Sequence, residues 1–290
     1  YIILIIMWSL LFSHQFNGDS AFVYIQKQCD FGPRYPGSDA HKIFSEFLYT
    51  FFNKYSDFIQ EYNDTIIHPV SNKKIEISNF LIKHNINADE RYLFMAHWDT
   101  RDRADKDINS DNHNVPILGA NDGASGVALL MELSKYISNN PLSNIGVDIL
   151  LVDAEDMGRA GHVNEWGLGT QSFVKQYQGK LPKYAICVDM IADQNPIFKI
   201  EGFSYRYAKE LVHEIWSLAN SLGYKEFVWQ LSYPIYDDHF YYYQGTSIPS
   251  IDIIDFDFPE WHTMDDTIEN CSSKGLFIVG DVLLNFIFNK

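Results

Sequence analysis

Cysteine is scarce in this chain of 290 residues: Cys29, Cys187 and Cys271 are far apart and odd in number. No disulfide framework and no thiolate zinc knuckle follow from that spacing, and Cys187, inside an apolar run, reads as plain core. Basic residues are also short, 22 against 38 acids, for a net charge of −16. With no basic cluster, nucleic acid and anionic membrane surfaces are excluded as partners, whereas cationic or amine-bearing ligands are permitted. Internal repeats, low-complexity tracts and dividing linkers are all missing, so one domain is expected. The twelve-residue apolar run at the start, YIILIIMWSLLF, falls short of the ~20 residues of a membrane span. It reads as the remnant of a signal peptide or N-terminal anchor over residues 1–22, ahead of a single domain over 23–290. That reading places the protein outside the cytoplasm (periplasmic, secreted or membrane-anchored), touching a membrane only through the anchor; the alternative is a buried N-terminal helix or strand.

What is present is a large core. Hydrophobic residues make up 46% and aromatic residues 16% of the chain, which excludes global disorder. The run CDFGPRYPGS at 29–38 is turn chemistry, and Ser38 or Asp39 can cap a helix with Phe44, Phe47, Leu48 and Phe51 inward. Strand-like runs follow at Asp64–Val70 and Lys74–Ile82. Short apolar runs at Tyr92–Ala96, Val147–Val152, Tyr184–Val188 and Pro249–Ile254 suit strands buried on both faces. Helices are expected near Thr170–Tyr177, Tyr205–Leu222 and Ser273–Phe288. The alternation implies a three-layer α/β/α fold around a mixed, mostly parallel sheet.

One stretch organises the rest. In ILGANDGASGVALLMELSKYI (117–137), a glycine-rich turn opens a helix that is apolar almost all round and therefore buried. Asp122 sits at the start of that buried element with no cationic residue near it in sequence, and an unpaired buried carboxylate is expensive. Other acids and histidines stand at strand ends: His97 and Asp99 after the first buried run, Asp153, Glu155 and Asp156 after the second, Asp189 after the third. Asp237, Asp238, His239 and His262 follow in later loops. Singly, each has an ordinary reading as a helix cap, a solvated acidic loop or a core histidine. Jointly they should converge in the crevice at the carboxyl ends of the strands. That many carboxylates require a cation, and imidazole plus carboxylate without thiolate suits zinc in an open, catalytic coordination sphere.

The set HWD (97–99), GANDGASG (119–126), DAED (153–156), DMIAD (189–193), YDDH (236–239) and WHTMDD (261–266) resembles the zinc-dependent glutaminyl-peptide cyclotransferases. These are relatives of the dizinc aminopeptidases with a phosphorylase/hydrolase-like fold. DAED, EWGLGTQ (165–171) and FPEWHTMDD (258–266) look like the bacterial form. The resemblance implies that Asp122, Asp156 and His262 bind one zinc ion and that Glu155 shuttles a proton. It implies that Asp189 and Asp237 form a hydrogen-bonded acid network, and that Trp261, Trp166 and Trp98 wall a substrate pocket. His97 and Asp99 would lie behind the ligands or help hold a second metal. The substrates implied are peptides or proteins that begin with glutamine, or secondarily glutamate. Two departures stand out: Asp156 replaces a Glu of many relatives, and Ala96 and Ala120 stand where some animal enzymes carry a cysteine pair.

The rival reading is a dizinc aminopeptidase, because His97, Asp122 and Asp189 also suit a second ion. The indoles at 98, 166 and 261 favour the cyclase. A non-catalytic zinc-stabilised binding domain would lack the shuttle acid, and Glu155 is present.

Overall fold

The computed structural model describes residues 14–289. The first described helix, α1 (Gly18–Cys29), is capped by Asn17, whose side chain accepts from the Ser20 N–H, and it buries Ala21 and Ile25. Helix α2 (Asp39–Tyr55) is capped by Ser38, as expected, and buries Phe44, Leu48 and Phe52 together with His41. An antiparallel hairpin follows, β1 (Phe58–Ile67) with β2 (Lys74–His84), starting earlier than the periodicity suggested. Then come β3 (Glu90–His97), α3 (Ala124–Asn139), β4 (Ile145–Val152), α4 (Leu168–Gln176) and β5 (Tyr184–Asp189). A short parallel pair, β6 (Phe198–Ile200) and β7 (Phe227–Leu231), flanks α5 (Gly202–Tyr207) and α6 (Lys209–Ser221). The chain closes with α7 (Asp238–Thr246), β8 (Ser250–Ile254) and α8 (Ser273–Phe288).

The main sheet has the order β1-β2-β4-β3-β5-β8. The strands β4, β3, β5 and β8 are parallel, with β8 at one edge, and the hairpin adds the antiparallel edge opposite. Side chains alternate across it. Tyr92, Phe94 and Ala96 of β3 pack into the large core with α3 and α8, while Leu93 and Met95 face a smaller core with Phe173 of α4 and Tyr242 of α7. Both faces are covered, which is why the parallel strands read as unbroken apolar runs. From β3 the chain crosses to β4 on one side, and from β5 it proceeds to β8 on the other. The carboxyl ends of β3 and β5 therefore flank a topological switch point, the usual place for a ligand crevice.

Three expectations change. Residues 1–13 of the expected signal or anchor segment lie outside the described residues, but residues 14–22 belong to the folded domain. Phe16 is buried, and α1 packs against α3 and α8, so the domain begins by His14 rather than at residue 23. The single helix expected over 205–222 is two helices, because Ala208 leaves the helical region between α5 and α6. Phe52 rather than Phe51 turns fully into the core from α2. Among the described residues no helix is long and apolar enough to cross a membrane.

Helix α3 lies unusually close to the sheet at Gly126, where a Cβ would sit 2.2 Å from the Val188 carbonyl oxygen and 2.8 Å from Ala96 Cβ. That approach carries the loop bearing Asp122 onto the strand ends. Gly126→Ala is expected to lower the melting temperature by about 2–5 °C, since overpacking of this kind costs about 1–3 kcal/mol. Thermal unfolding followed by circular dichroism measures it, and an unchanged midpoint would mean the helix can back away freely.

Candidate metal centre and active site

The acids at the strand ends meet. Asp122, Glu155, Asp156, Asp189, Asp237 and His262 are all buried. Three of the turns that deliver them use left-handed backbone at non-glycine residues, Ala154, Met190 and His262. Such conformations cost of order 1–3 kcal/mol each and cluster at functional sites.

Asp122, Asp156 and His262 offer ligand atoms that all lie within 4.8 Å of one another. His262 Nε2 is 3.0 Å from Asp156 Oδ1 and 3.4 Å from Asp122 Oδ2. Asp122 Oδ2 and Asp156 Oδ2 are buried and accept no hydrogen bond. Buried carboxylate oxygens without donors, facing an imidazole nitrogen, fit a divalent cation. The shorter arm of Asp156 therefore does reach. Arg101 holds it there, donating at 2.9 Å both to Asp156 Oδ1 and to its carbonyl oxygen. A second group, His97, Asp122 and Asp189, shares Asp122. His97 Nε2 is 3.1 Å from Asp122 Oδ1 and 3.2 Å from Asp189 Oδ1, so the two oxygens of Asp122 face the two groups separately.

Two further buried carboxylates grip the backbone of this centre. Asp99 accepts from the N–H groups of Glu155 and Asp156, at 3.1 and 3.3 Å. Asp266 accepts from Asn121 and Asp122, at 2.7 and 3.2 Å. Arg34 reinforces the second clamp, donating to the carbonyls of Leu118 and Gly119. Asp153 is structural instead: it receives His41 Nε2 at 2.9 Å and the Ser78 N–H.

Crowding sets the protonation pattern. Burial, then the charge of Asp237, pushes Glu155 well above the usual carboxylate range. Burial raises Asp189 to about 7 against the pull of His97, and raises Asp266 to about 8, with Asp122 adding to it. Burial would raise Asp122 too, but the imidazoles of His262 and His97 beside it overcome that and hold the group ionised. Burial disfavours a charged His97, yet Asp122, Asp189 and Asp99 hold its pKa well above the usual imidazole range.

The acid network differs from the one implied by resemblance. Asp189 bonds to His97 and to the Met190 N–H, and Asp237 acts on it by charge through space. Asp252, grouped with Asp237 and His239, is driven well above its usual range by burial and by the charge of Asp237. Asp252 was detectable in principle: a lone acid in the apolar strand SIDII needs a partner.

These groups floor a cavity of about 260 Å3 walled by Trp166, Trp261, Ile235 and Tyr236. This is smaller than the ~300–1,000 Å3 of drug-sized sites and suits a single amino-acid residue. The His262 ring stacks on Trp261 at 3.9 Å and lies near-parallel to Trp166 at 6.2 Å. Trp98 does not belong here. It is fully buried, stacked on His41 at 4.2 Å, with its indole N–H donating to the Ser78 carbonyl, because it follows the last residue of β3 and turns into the core.

Glu201, which the motifs do not flag, steadies the cavity wall. Its carboxylate accepts from the N–H groups of Phe203, Ser204 and Ile235 and from His239 Nε2 at 2.9 Å. Burial opposes its charge, but His239 and the backbone donors hold it down to about 2.

A model of peptidase family M28 matches residues 79–287. The glutaminyl cyclase of Tannerella forsythia is 34% identical, covers 96% of this chain and 100% of its own, and superposes with a TM-score of 0.92. A leucine aminopeptidase precursor from Bacteroides thetaiotaomicron VPI-5482 is 33% identical over 96% of this chain and 99% of its own, with a TM-score of 0.92. Among curated sequences, the alkaline phosphatase isozyme conversion protein of Escherichia coli (strain K12) is 24% identical over 156 residues, 51% of this chain, which spans only 45% of that relative's length.

Two outcomes follow from the geometry. His262→Ala should lose bound divalent metal on gel filtration, read by elemental analysis, whereas Trp98→Phe should retain it. Glu201 has a folded pKa below its unfolded value, so its stabilisation is complete above about 4.5 and disappears as pH falls toward about 2. Over pH 6 to 3, Glu201→Gln should accordingly show a shallower fall in melting temperature than the parent.

Proposed function

The chain belongs to peptidase family M28, and from that premise we propose that it is a zinc-dependent glutaminyl-peptide cyclotransferase. In this reading it converts the N-terminal glutamine of peptides to pyroglutamate and releases ammonia. The observation that carries the reading is the placement of Glu155. It lines a one-residue cavity together with the group Asp122, Asp156 and His262, the acids Asp189 and Asp237, and the indoles of Trp166 and Trp261.

Zinc held by those three ligands would supply a Lewis acid for the γ-carboxamide. The remaining chemistry belongs to the side chains. The α-amine nitrogen attacks the γ-carbonyl carbon of its own residue, the bond from that carbon to the amide nitrogen breaks, and ammonia leaves. Glu155 takes the proton that the amine loses and returns it to the departing nitrogen. A carboxyl raised by burial is suited to the second half of that task, and a nearby cation favours the first. Asp189 and Asp237, which line the cavity, can orient the amine and the carboxamide by hydrogen bonds. Trp166 and Trp261 hold the compact residue and keep out the water that would hydrolyse the amide instead. Because nucleophile and electrophile share one residue, positioning supplies much of the acceleration.

A dizinc aminopeptidase is the second reading, favoured by the group His97, Asp122 and Asp189 and by the aminopeptidase relative. Metal content distinguishes them: one equivalent of zinc per active chain supports the cyclase, two the peptidase. Offered a glutaminyl dipeptide amide, the metal-loaded protein should release ammonia and pyroglutamate in equal amounts. Glu155→Gln should lower kcat by about 10²–10⁴-fold with zinc content unchanged. Release of free glutamine from the dipeptide, without pyroglutamate, would replace this reading with the peptidase. The location outside the cytoplasm is part of the same proposal and rests on the apolar run at 1–12.

A further inference from the structure

Strand β7 leads out of the core and toward the cavity mouth. Phe227 is buried, but Trp229, Leu231 and Tyr233 are 48, 59 and 84% exposed at alternate positions. Tyr233, Pro234 and Ile235 then line the cavity itself. Scattered exposed apolar side chains are ordinary; a row that runs into a binding cavity is not.

The local structure makes this row rigid. Phe198 pairs with Phe227 and Ile200 with Leu231, so four residues of advance on β7 match two on β6. An irregularity of this kind bends a strand and re-aims its side chains, and such features recur beside active sites. Both ends of the bowed segment are fastened. The indole of Trp216 donates to the Val228 carbonyl, and the Ser232 N–H donates to the Ile200 carbonyl at 2.7 Å. The Tyr233 carbonyl receives the Gly202 N–H, and the Ile235 N–H is held by Glu201. The Trp229 ring leans on His213 of α6 at 5.3 Å. Among the described residues β7 pairs with no strand besides β6, which leaves one edge open.

We propose that Trp229 and Leu231 of β7, with Tyr233 just beyond its end, form an extended subsite that binds the residues of a peptide substrate downstream of the one in the cavity. The occupant is the substrate's own chain, because the row is continuous with the cavity wall. An extended peptide uses open strand edges for main-chain bonding and alternate side-chain positions for selectivity. At about 3.3 Å per residue, the four steps from Tyr233 to Trp229 span at most about 13 Å. With the first residue in the cavity and the second at its mouth, the row meets roughly residues three to six. It therefore selects peptides with apolar side chains there over short or polar ones. This inference rests on the cyclase reading for the chemistry but not for the binding.

The test compares a glutaminyl dipeptide amide with two glutaminyl octapeptides, one carrying leucine at positions three and five and the other serine there. On the zinc-loaded enzyme the leucine octapeptide should show a KM at least tenfold below that of the dipeptide amide, and the serine octapeptide should show no such gain. The double variant W229S/L231S, whose positions lie outside the cavity, should erase that gain while leaving kcat and KM for the dipeptide amide unchanged. Calorimetry in a Glu155→Gln background reads binding without turnover, and there the double variant should lose at least tenfold in Kd for the leucine octapeptide. Equal Kd values for the two proteins would overturn the subsite. So would an equal KM for leucine and serine octapeptides, or a parent that sediments as a dimer which W229S/L231S dissociates, since the row would then be a self-interface. If no peptide yields ammonia but the Kd difference persists, the subsite stands and the cyclase reading falls.

Discussion

Too many carboxylates are buried at one place for the site to stand without positive charge. Two unit charges 4 Å apart interact with about 4 kcal/mol at an effective dielectric of 20, and here Asp122, Glu155, Asp156, Asp189, Asp237 and Asp252 share one end of a sheet. The protein relieves that repulsion in three ways. Protons stay on Glu155, on Asp252 and in part on Asp189. His97, His262 and Arg101 lie against the remaining charges. The orphaned oxygens of Asp122 and Asp156 are left for a cation. The same crowding that demands a metal also holds a proton beside it.

Such a cluster would spring apart if its supports were loose. The supports are charged residues one layer back, each bound to main chain rather than to the reacting groups. Asp99 and Asp266 each accept two successive N–H groups, and Arg34 and Glu201 fasten the loops at 118–119 and 235. Backbone held by buried side chains in a dry environment is stiffer than backbone held by water, most of all at Arg34 and Glu201, because charge-assisted hydrogen bonds are about twice as strong as neutral ones. The site is therefore built before any substrate arrives, which is how preorganised electrostatics works.

Within family M28 this scaffold carries both hydrolysis and cyclisation, so the fold alone does not select the reaction. On the proposed cyclase reading, selection lies in what surrounds Asp122, Asp156 and His262: the volume of the cavity, the indoles that wall it, and which nitrogen an adjacent acid can reach. The bowed strand β7 extends that logic outward, from the residue that reacts to the residues that follow it.

Much was legible from order alone. The buried parallel strands, the helix after the glycine-rich turn and the gathering of acids at strand ends follow local rules, whereas the set Asp122, Asp156 and His262 came from a family resemblance alone. What needed the tertiary structure was every partnership between distant segments. Trp98 sits beside His97 in the chain, yet the turn after β3 sends it into the core against His41 and away from the cavity. Asp237 was visible, but its proximity to Asp252 on β8 was not, since the register between neighbouring strands decides which carboxylates face each other. Arg101 and Glu201 carry no motif of their own, and Asp266 only closes WHTMDD; their roles arise when loops 20 or more positions apart are pressed together. Sequence determined which residues are polar where polarity is costly, and the packing of the sheet against its helices decided which of them meet.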